Sequence, residues 1–245
     1  MFRGPLACLT LLAMIVMIPE GAAQNFPGDA ANALPALVEN ARVLFQGDSI
    51  TDGNRGRNQD PNHILGHGYV FLIAAKYGAA FPERNLTFLN RGVSGNKVSD
   101  LAKRWPQDTV ALKPDLLSVL IGVNDNSANL PMDQFEQTYD ALLAQARAAN
   151  PNLRLVLCAP FTLPAGSKKE NFEPWNAGIK QRQEIVAKLA QKHRAALVRF
   201  QPVFEAACQK APAEYWMWDG VHPTYAGHQL MAGEWVRAVT AFWPR

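Results

Sequence analysis

Cysteine is scarce in this chain, with three among 245 residues, which excludes a small scaffold stapled by disulfides. Charge is sparse as well. Asp, Glu, Lys and Arg together make up 18% of the residues, and the formal net charge is only +3. The basic residues neither form a run nor interleave with aromatics, so nucleic acid is not an expected partner. No His/Cys/Asp/Glu group has metal-ligand spacing, and neither a metal nor a cofactor is expected. Long apolar runs are missing too, except between Leu6 and Ile18, which falls short of the roughly 20 residues a membrane span takes. Arg3 precedes that run, and Pro19 with Gly21-Ala22-Ala23 follows it. This order reads as a secretory signal peptide over residues 1–23, with an uncleaved anchor as the alternative. The chain is then expected outside the cytoplasm or in a periplasm, with no membrane partner after cleavage.

No repeat and no Pro/Gly/Ser-rich linker divides residues 24–245, so they are read as a single domain. Five apolar runs, at 42–46, 86–90, 115–121, 153–159 and 196–200, predict strands. Most are continuous rather than alternating, as parallel strands covered on both faces must be. Helical spacing falls between them: Gly68 to Ala80, a stretch starting at Asp133 with Glu136 three residues on, and two more marked by Ile179–His193 and Met231–Phe242. Alternation of this kind predicts an α/β fold, a three-layer α/β/α sandwich on a five-stranded parallel sheet of order 2-1-3-4-5. Cys158 and Cys208 are expected as free, buried thiols.

Polar motifs follow the strands. Gly47-Asp48-Ser49-Ile50 comes straight after Val43-Leu44-Phe45, which puts a hydroxyl where a strand breaks at the switch point of the sheet. A serine hydroxyl needs a base, and the base needs an orienting acid. Asp219-Gly220-Val221-His222-Pro223 offers both within four residues. Ser49 is therefore the candidate nucleophile, His222 the base and Asp219 its partner. Acyl transfer also requires donors for the developing oxyanion. Asn90-Arg91-Gly92-Val93-Ser94-Gly95-Asn96 and Gly122-Val123-Asn124-Asp125 follow their own strands and provide them. The candidates are the Ser49 and Gly95 amides and the Asn124 side chain, with Gly92 as the competing glycine. Each motif also has a plain reading, as a helix cap, a turn glycine or an Asx-turn.

Ser49, Gly95, Asn124 and His222, in this order and in these contexts, resemble the four blocks of the SGNH (GDSL-type) hydrolases. That resemblance implies a flavodoxin-like fold and a metal-free serine esterase, with Asp219 completing the triad. Phe45 to Asp52, Leu65 to Val70, Asn90 to Asn96 and Val221 to His228 also look like the acetyl-xylan esterases of that family. The narrower likeness implies an ester substrate, small or oligosaccharide, and foremost O-acetyl groups on xylan-type sugars. Asp48, Trp216 and Trp218 are candidate substrate contacts, because flat indoles suit sugar faces. A lipase or lysophospholipase is the alternative within enzymes; a non-catalytic carbohydrate-binding domain on the same fold is the alternative outside them. Oligomeric state has no reading in the sequence.

Overall fold

Val43, Phe45, Leu116, Leu120, Val156 and Cys158 enter one hydrophobic core, while Leu44, Leu117, Val119, Leu155 and Leu157 enter a second. Neighbouring positions of one strand thus face opposite cores, which is why the strands read as unbroken apolar runs. The computed structural model describes Met1, residues 37–58 and residues 60–243. The expected signal peptide, Met1 apart, lies outside the described residues.

Chain order is β1 (Arg42–Gly47), α1 (Ser49–Asp52), α2 (Tyr69–Ala80), β2 (Thr87–Asn90), α3 (Val98–Asp108), β3 (Leu116–Leu120), α4 (Val123–Ser127), α5 (Met132–Ala149), β4 (Arg154–Ala159), α6 (Phe172–Lys192), β5 (Ala196–Arg199), α7 (Phe200–Ala207), α8 (Ala213–Trp216) and α9 (Tyr225–Phe242). The five strands are parallel, in the order β2-β1-β3-β4-β5. This is the topology the alternation predicts. Val43 pairs with Phe88 on one side and Leu116 on the other, so β1 lies where strand order reverses.

Helices α2, α7 and α9 cover the first core through Tyr69, Ile73, Phe200, Phe204, Met231 and Trp235. Helices α3, α5 and α6 cover the second through Leu101, Trp105, Phe135, Tyr139, Val186 and Leu189. Fully burying one such large apolar side chain contributes about 1.5–3 kcal/mol, so each layer is held independently of any polar contact. Helix α5 starts at Met132, one residue before the predicted Asp133, because Pro131 precedes it and Asp133 lies inside the first turn without capping. Cys158 and Cys208 are free; Cys158 is buried as expected, but Cys208 is only half-buried. Burial pushes the Cys158 thiol up to about 12, which makes it unreactive near neutral pH. Among the described residues, no helix is long and apolar enough to cross a membrane.

Candidate active site

The end of β1 is closed to anything larger than glycine at Gly47, where a Cβ would run into the Leu120 carbonyl and Thr51. The chain therefore turns tightly there into the single turn of α1. Asp48 caps that turn by accepting from the Ile50 amide at 3.0 Å. Ser49 is the first helical residue. Its Oγ lies 2.8 Å from His222 Nε2, although 173 positions separate the two in the chain.

The Asp219–His222 segment is held by its own hydrogen bonds. Asp219 Oδ2 is 2.7 Å from His222 Nδ1, while Oδ1 accepts from the Val221 amide at 2.9 Å and the His222 amide at 2.7 Å. Gly220 adopts φ +87°, and a Cβ there would lie 2.7 Å from the Ala165 carbonyl oxygen, so glycine is required on both counts. Burial alone would raise the Asp219 carboxyl, but the His222 amide, the His222 ring and the Val221 amide outweigh it and hold the group below its ordinary range. An ionised carboxylate on Nδ1 selects the imidazole tautomer whose Nε2 is free to accept the Ser49 proton.

The loop after β2 distinguishes its two glycines. Gly92 packs against the backbone of Asp52, and its amide donates to Asn90 Oδ1 at 2.9 Å. Gly95 has φ +80° with open space where a Cβ would be, and its amide makes no hydrogen bond among the described residues. Of the two, Gly95 has the available donor. Asn124 Nδ2 donates one hydrogen to the Asn96 carbonyl at 3.1 Å, which ties α4 to the residue after Gly95, and the second hydrogen has no acceptor among the described residues.

Two residues that sequence reasoning passed over hold this loop. Asn90 is buried and donates from Nδ2 to the carbonyls of Thr51 at 2.7 Å and Leu65 at 2.9 Å, while Oδ1 takes the Gly92 amide. It joins β2, α1 and the approach to α2 at one point. Asp52 accepts from both the amide and the hydroxyl of Ser94, at 3.0 and 3.1 Å, and pairs with Arg57 at 2.7 Å. Burial opposes its charge, yet Arg57 and Ser94 hold its carboxyl below the usual range. Both residues belong to motifs already singled out. Asn90 is the one buried residue of β2, and Asp52 ends α1.

Asp48 requires a correction. It is 1% exposed, and its carboxylate is directed into the α1 cap rather than toward a substrate. Burial, opposed by the Ile50 amide and reinforced by the nearby Asp125 charge, pushes its carboxyl up to about 7. Trp216 differs from expectation too: it packs against the first core, and its indole N–H donates to the Ala211 carbonyl at 3.2 Å. Trp218 is exposed, and its ring stacks over His222 with centroids 5.7 Å apart and planes 19° from parallel. The loop residues His63 and His67 are exposed, whereas His193 closes α6 against Asp140 at 2.7 Å.

A hydroxyl in reach of an oriented imidazole defines a site able to transfer acyl groups, and the strand order brings the loops of Gly95 and Asn124 to the same edge of the sheet. The model of the GDSL-like lipase/acylhydrolase family matches residues 45–230, and the chain belongs to that family. It is a carboxylic ester hydrolase. An acetylxylan esterase from Geobacillus stearothermophilus is 31% identical over 216 residues, covering 83% of this chain and 96% of that protein. Among solved structures, a candidate GDSL-like lipase from Parabacteroides merdae shares 38% identity with a TM-score of 0.79, over 84% of this chain and 98% of that one. LAE5, an alpha/beta hydrolase enzyme from the metagenome of Lake Arreo, Spain, shares 30% with a TM-score of 0.76, over 85% and 99%.

Proposed function

We propose that this hydrolase removes short acyl groups, foremost O-acetyl groups on xylan-type saccharides, through a Ser49-His222-Asp219 acyl-enzyme mechanism. The observation that carries the reading is the continuous contact chain from Ser49 Oγ to His222 Nε2 at 2.8 Å and from His222 Nδ1 to Asp219 at 2.7 Å. Ser49 Oγ attacks the acetyl carbonyl as its proton passes to His222. The Ser49 and Gly95 amides and the Asn124 carboxamide stabilise the oxyanion. The ester C–O bond then breaks, and the sugar alcohol leaves with the proton from His222. Water, deprotonated by the same imidazole, attacks the acetyl-serine and releases acetate with the serine hydroxyl restored.

Support for the acetylated sugar comes from the Geobacillus relative, an acetylxylan esterase of which catalytic mutants replace a serine and an aspartate. Trp218 supports it as well, since an exposed indole beside His222 offers a flat face to a pyranose ring. Export through residues 1–23 fits a polymeric substrate that stays outside the cell. N-terminal sequencing of the protein from its host tests that part, and an intact Met1 start contradicts it.

The mechanism is tested by comparing the wild type with Ser49→Ala on 4-nitrophenyl acetate, 4-nitrophenyl octanoate and acetylated xylo-oligosaccharides. Acetate release from the oligosaccharide, a preference for acetyl over octanoyl and loss of both activities in Ser49→Ala are expected. A preference for octanoyl replaces the acetyl reading with a lipase. Saccharide binding without acid release from any ester leaves a non-catalytic carbohydrate-binding domain.

A further inference from the structure

The Asp219–His222 turn fixes its own shape through its internal bonds, but those bonds do not set its height over Ser49, which comes from another strand. Contacts from the loop between β4 and α6 meet the turn from outside. Thr162 is buried and donates from Oγ1 to the Gly220 carbonyl at 2.7 Å, and the Leu163 amide donates to the same oxygen at 3.2 Å. Further along the loop, Ser167 Oγ donates to the Asp219 carbonyl at 3.3 Å. Gly166 sits so close that a Cβ there would stand 2.6 Å from Asp219 Cα. The base turn therefore rests on this loop at both Asp219 and Gly220.

Thr162 is itself held. Its Oγ1 accepts the indole N–H of Trp175 at 3.0 Å, so the hydroxyl's own hydrogen is committed to Gly220. Its amide donates to Gln201 Oε1 and its carbonyl accepts from Gln201 Nε2, both at 3.0 Å, which fixes its backbone against α7. Trp175 lies in the first turn of α6, and Lys168 Nζ stands 3.8 Å from the centre of its ring. The Trp175 carbonyl accepts from Asn126 Nδ2 at 3.0 Å, and Asn126 follows Asn124 by two positions on α4. One tryptophan thus joins the helix of the candidate oxyanion donor to the turn of the base, by way of a single buried hydroxyl.

We propose that Thr162 is a positioning residue for the reaction: its hydroxyl, backed by Trp175, holds the Gly220 carbonyl so that the His222 ring meets Ser49 at proton-transfer distance. This rests on the acyl-transfer reading of the site. Thr162 is bonded to no reacting atom and acts through Gly220. Proton transfer from Ser49 to His222 needs a contact near the observed 2.8 Å, and a displacement of about 1 Å can cost on the order of 10²-fold in rate. Removing the hydroxyl leaves the Leu163 amide as the remaining donor to the Gly220 oxygen and strands the Trp175 N–H. The turn then keeps its Asp219–His222 bonds but loses its fixed seat, so the loss falls on kcat rather than on substrate binding.

The test compares Thr162→Val and Thr162→Ser with the wild type on 4-nitrophenyl acetate, at a temperature below the unfolding transition of each. Valine keeps the shape without the hydroxyl and is expected to lower kcat by roughly 10–100-fold, with KM within about twofold of wild type. Serine keeps the hydroxyl and should bring kcat back to within about threefold of wild type. If Thr162→Val does not fold, Trp175→Phe carries the test. It keeps a ring but frees the Thr162 hydroxyl to rotate, and should lower kcat by roughly three- to tenfold at unchanged KM; an unchanged kcat overturns the proposal. Wild-type kcat in Thr162→Val, a serine variant as impaired as valine, or a loss confined to KM shows that Thr162 only ties the loop to the strand end and overturns it as well. A wild type inactive on the ester, or a Ser49→Ala variant as active as wild type, refutes the acyl-transfer reading instead, and the two failures are thus distinct.

Discussion

Asp48 and Asp219 carry the same carboxyl group, flank the same site and are both shielded from water, yet they are driven in opposite directions. Asp48, one residue before Ser49, is pushed up to about 7 because burial and Asp125 outweigh its single cap bond from Ile50. Asp219 is held below its ordinary range because an imidazole and two amides outweigh its burial. The first belongs to the nucleophile half of the site, which is assembled from distant segments: β1, the loop after β2 and the approach to α2 meet at Asn90 and Asp52. The second belongs to the base half, where Asp219, Val221 and His222 form their own hydrogen-bonded turn. In the nucleophile half the acid supports the backbone, and stability and activity are joined. In the base half the acid orients a ring, and the two are separable.

The largest expected effect tests whether both halves serve one reaction. Ser49→Ala should lower kcat by about 10⁴-fold or more in steady-state assays with 4-nitrophenyl acetate. Asp219→Asn should follow at roughly 10³–10⁴-fold, because an amide no longer selects the required tautomer. If Asp219→Asn retains more than a tenth of wild-type kcat, the base half orients nothing. Asn124→Ala should remove about 2.7–4 kcal/mol of transition-state stabilisation, read from kcat/KM. A loss confined to KM would show that Asn124 binds the ground state instead.

The smallest effect sharpens the contrast between the two acids. Between about pH 4 and pH 7 the folded protein keeps the Asp48 proton that the unfolded chain, at an ordinary carboxyl value of 3.8, has released. Folded molecules bind more protons in that window, so the stability contributed by Asp48 is lost as pH rises through 7. Asp48→Asn retains the cap without the titration. Urea unfolding of this variant should therefore gain on the wild type by on the order of 4 kcal/mol from acid to mildly alkaline pH. Asp219 has the reverse sign: its contribution is present above the ordinary carboxyl range and is lost as pH falls through its depressed value. A difference between Asp48→Asn and wild type that does not vary with pH would mean that Asp48 is not held protonated.

The sheet was legible because both faces of each strand are covered, so five apolar runs stood out, and their order is one of the few that doubly wound sheets adopt. The motifs were legible because polar residues after such runs are few. Hydrogen bonds between segments could not be read in this way. Asp48 was a candidate substrate contact, but a one-turn helix such as α1 has no periodicity to reveal that the carboxylate before it is a cap. Trp216 and Trp218 are two residues apart and similar in sequence context, yet the short α8 turns one indole onto the core and leaves the other exposed. Asn90 bridges three segments, and only the folded backbone brings their carbonyls to it.

The central claim is that Ser49 becomes acylated. The direct measurement is mass spectrometry of peptides from enzyme quenched with acid within milliseconds of mixing with 4-nitrophenyl acetate. Acetyl mass on the peptide containing Ser49, absent from Ser49→Ala and accumulating in His222→Ala only far more slowly than in wild type, is the predicted result. Full turnover without any acetyl-serine, or acetyl mass on another residue at the catalytic rate, would contradict it.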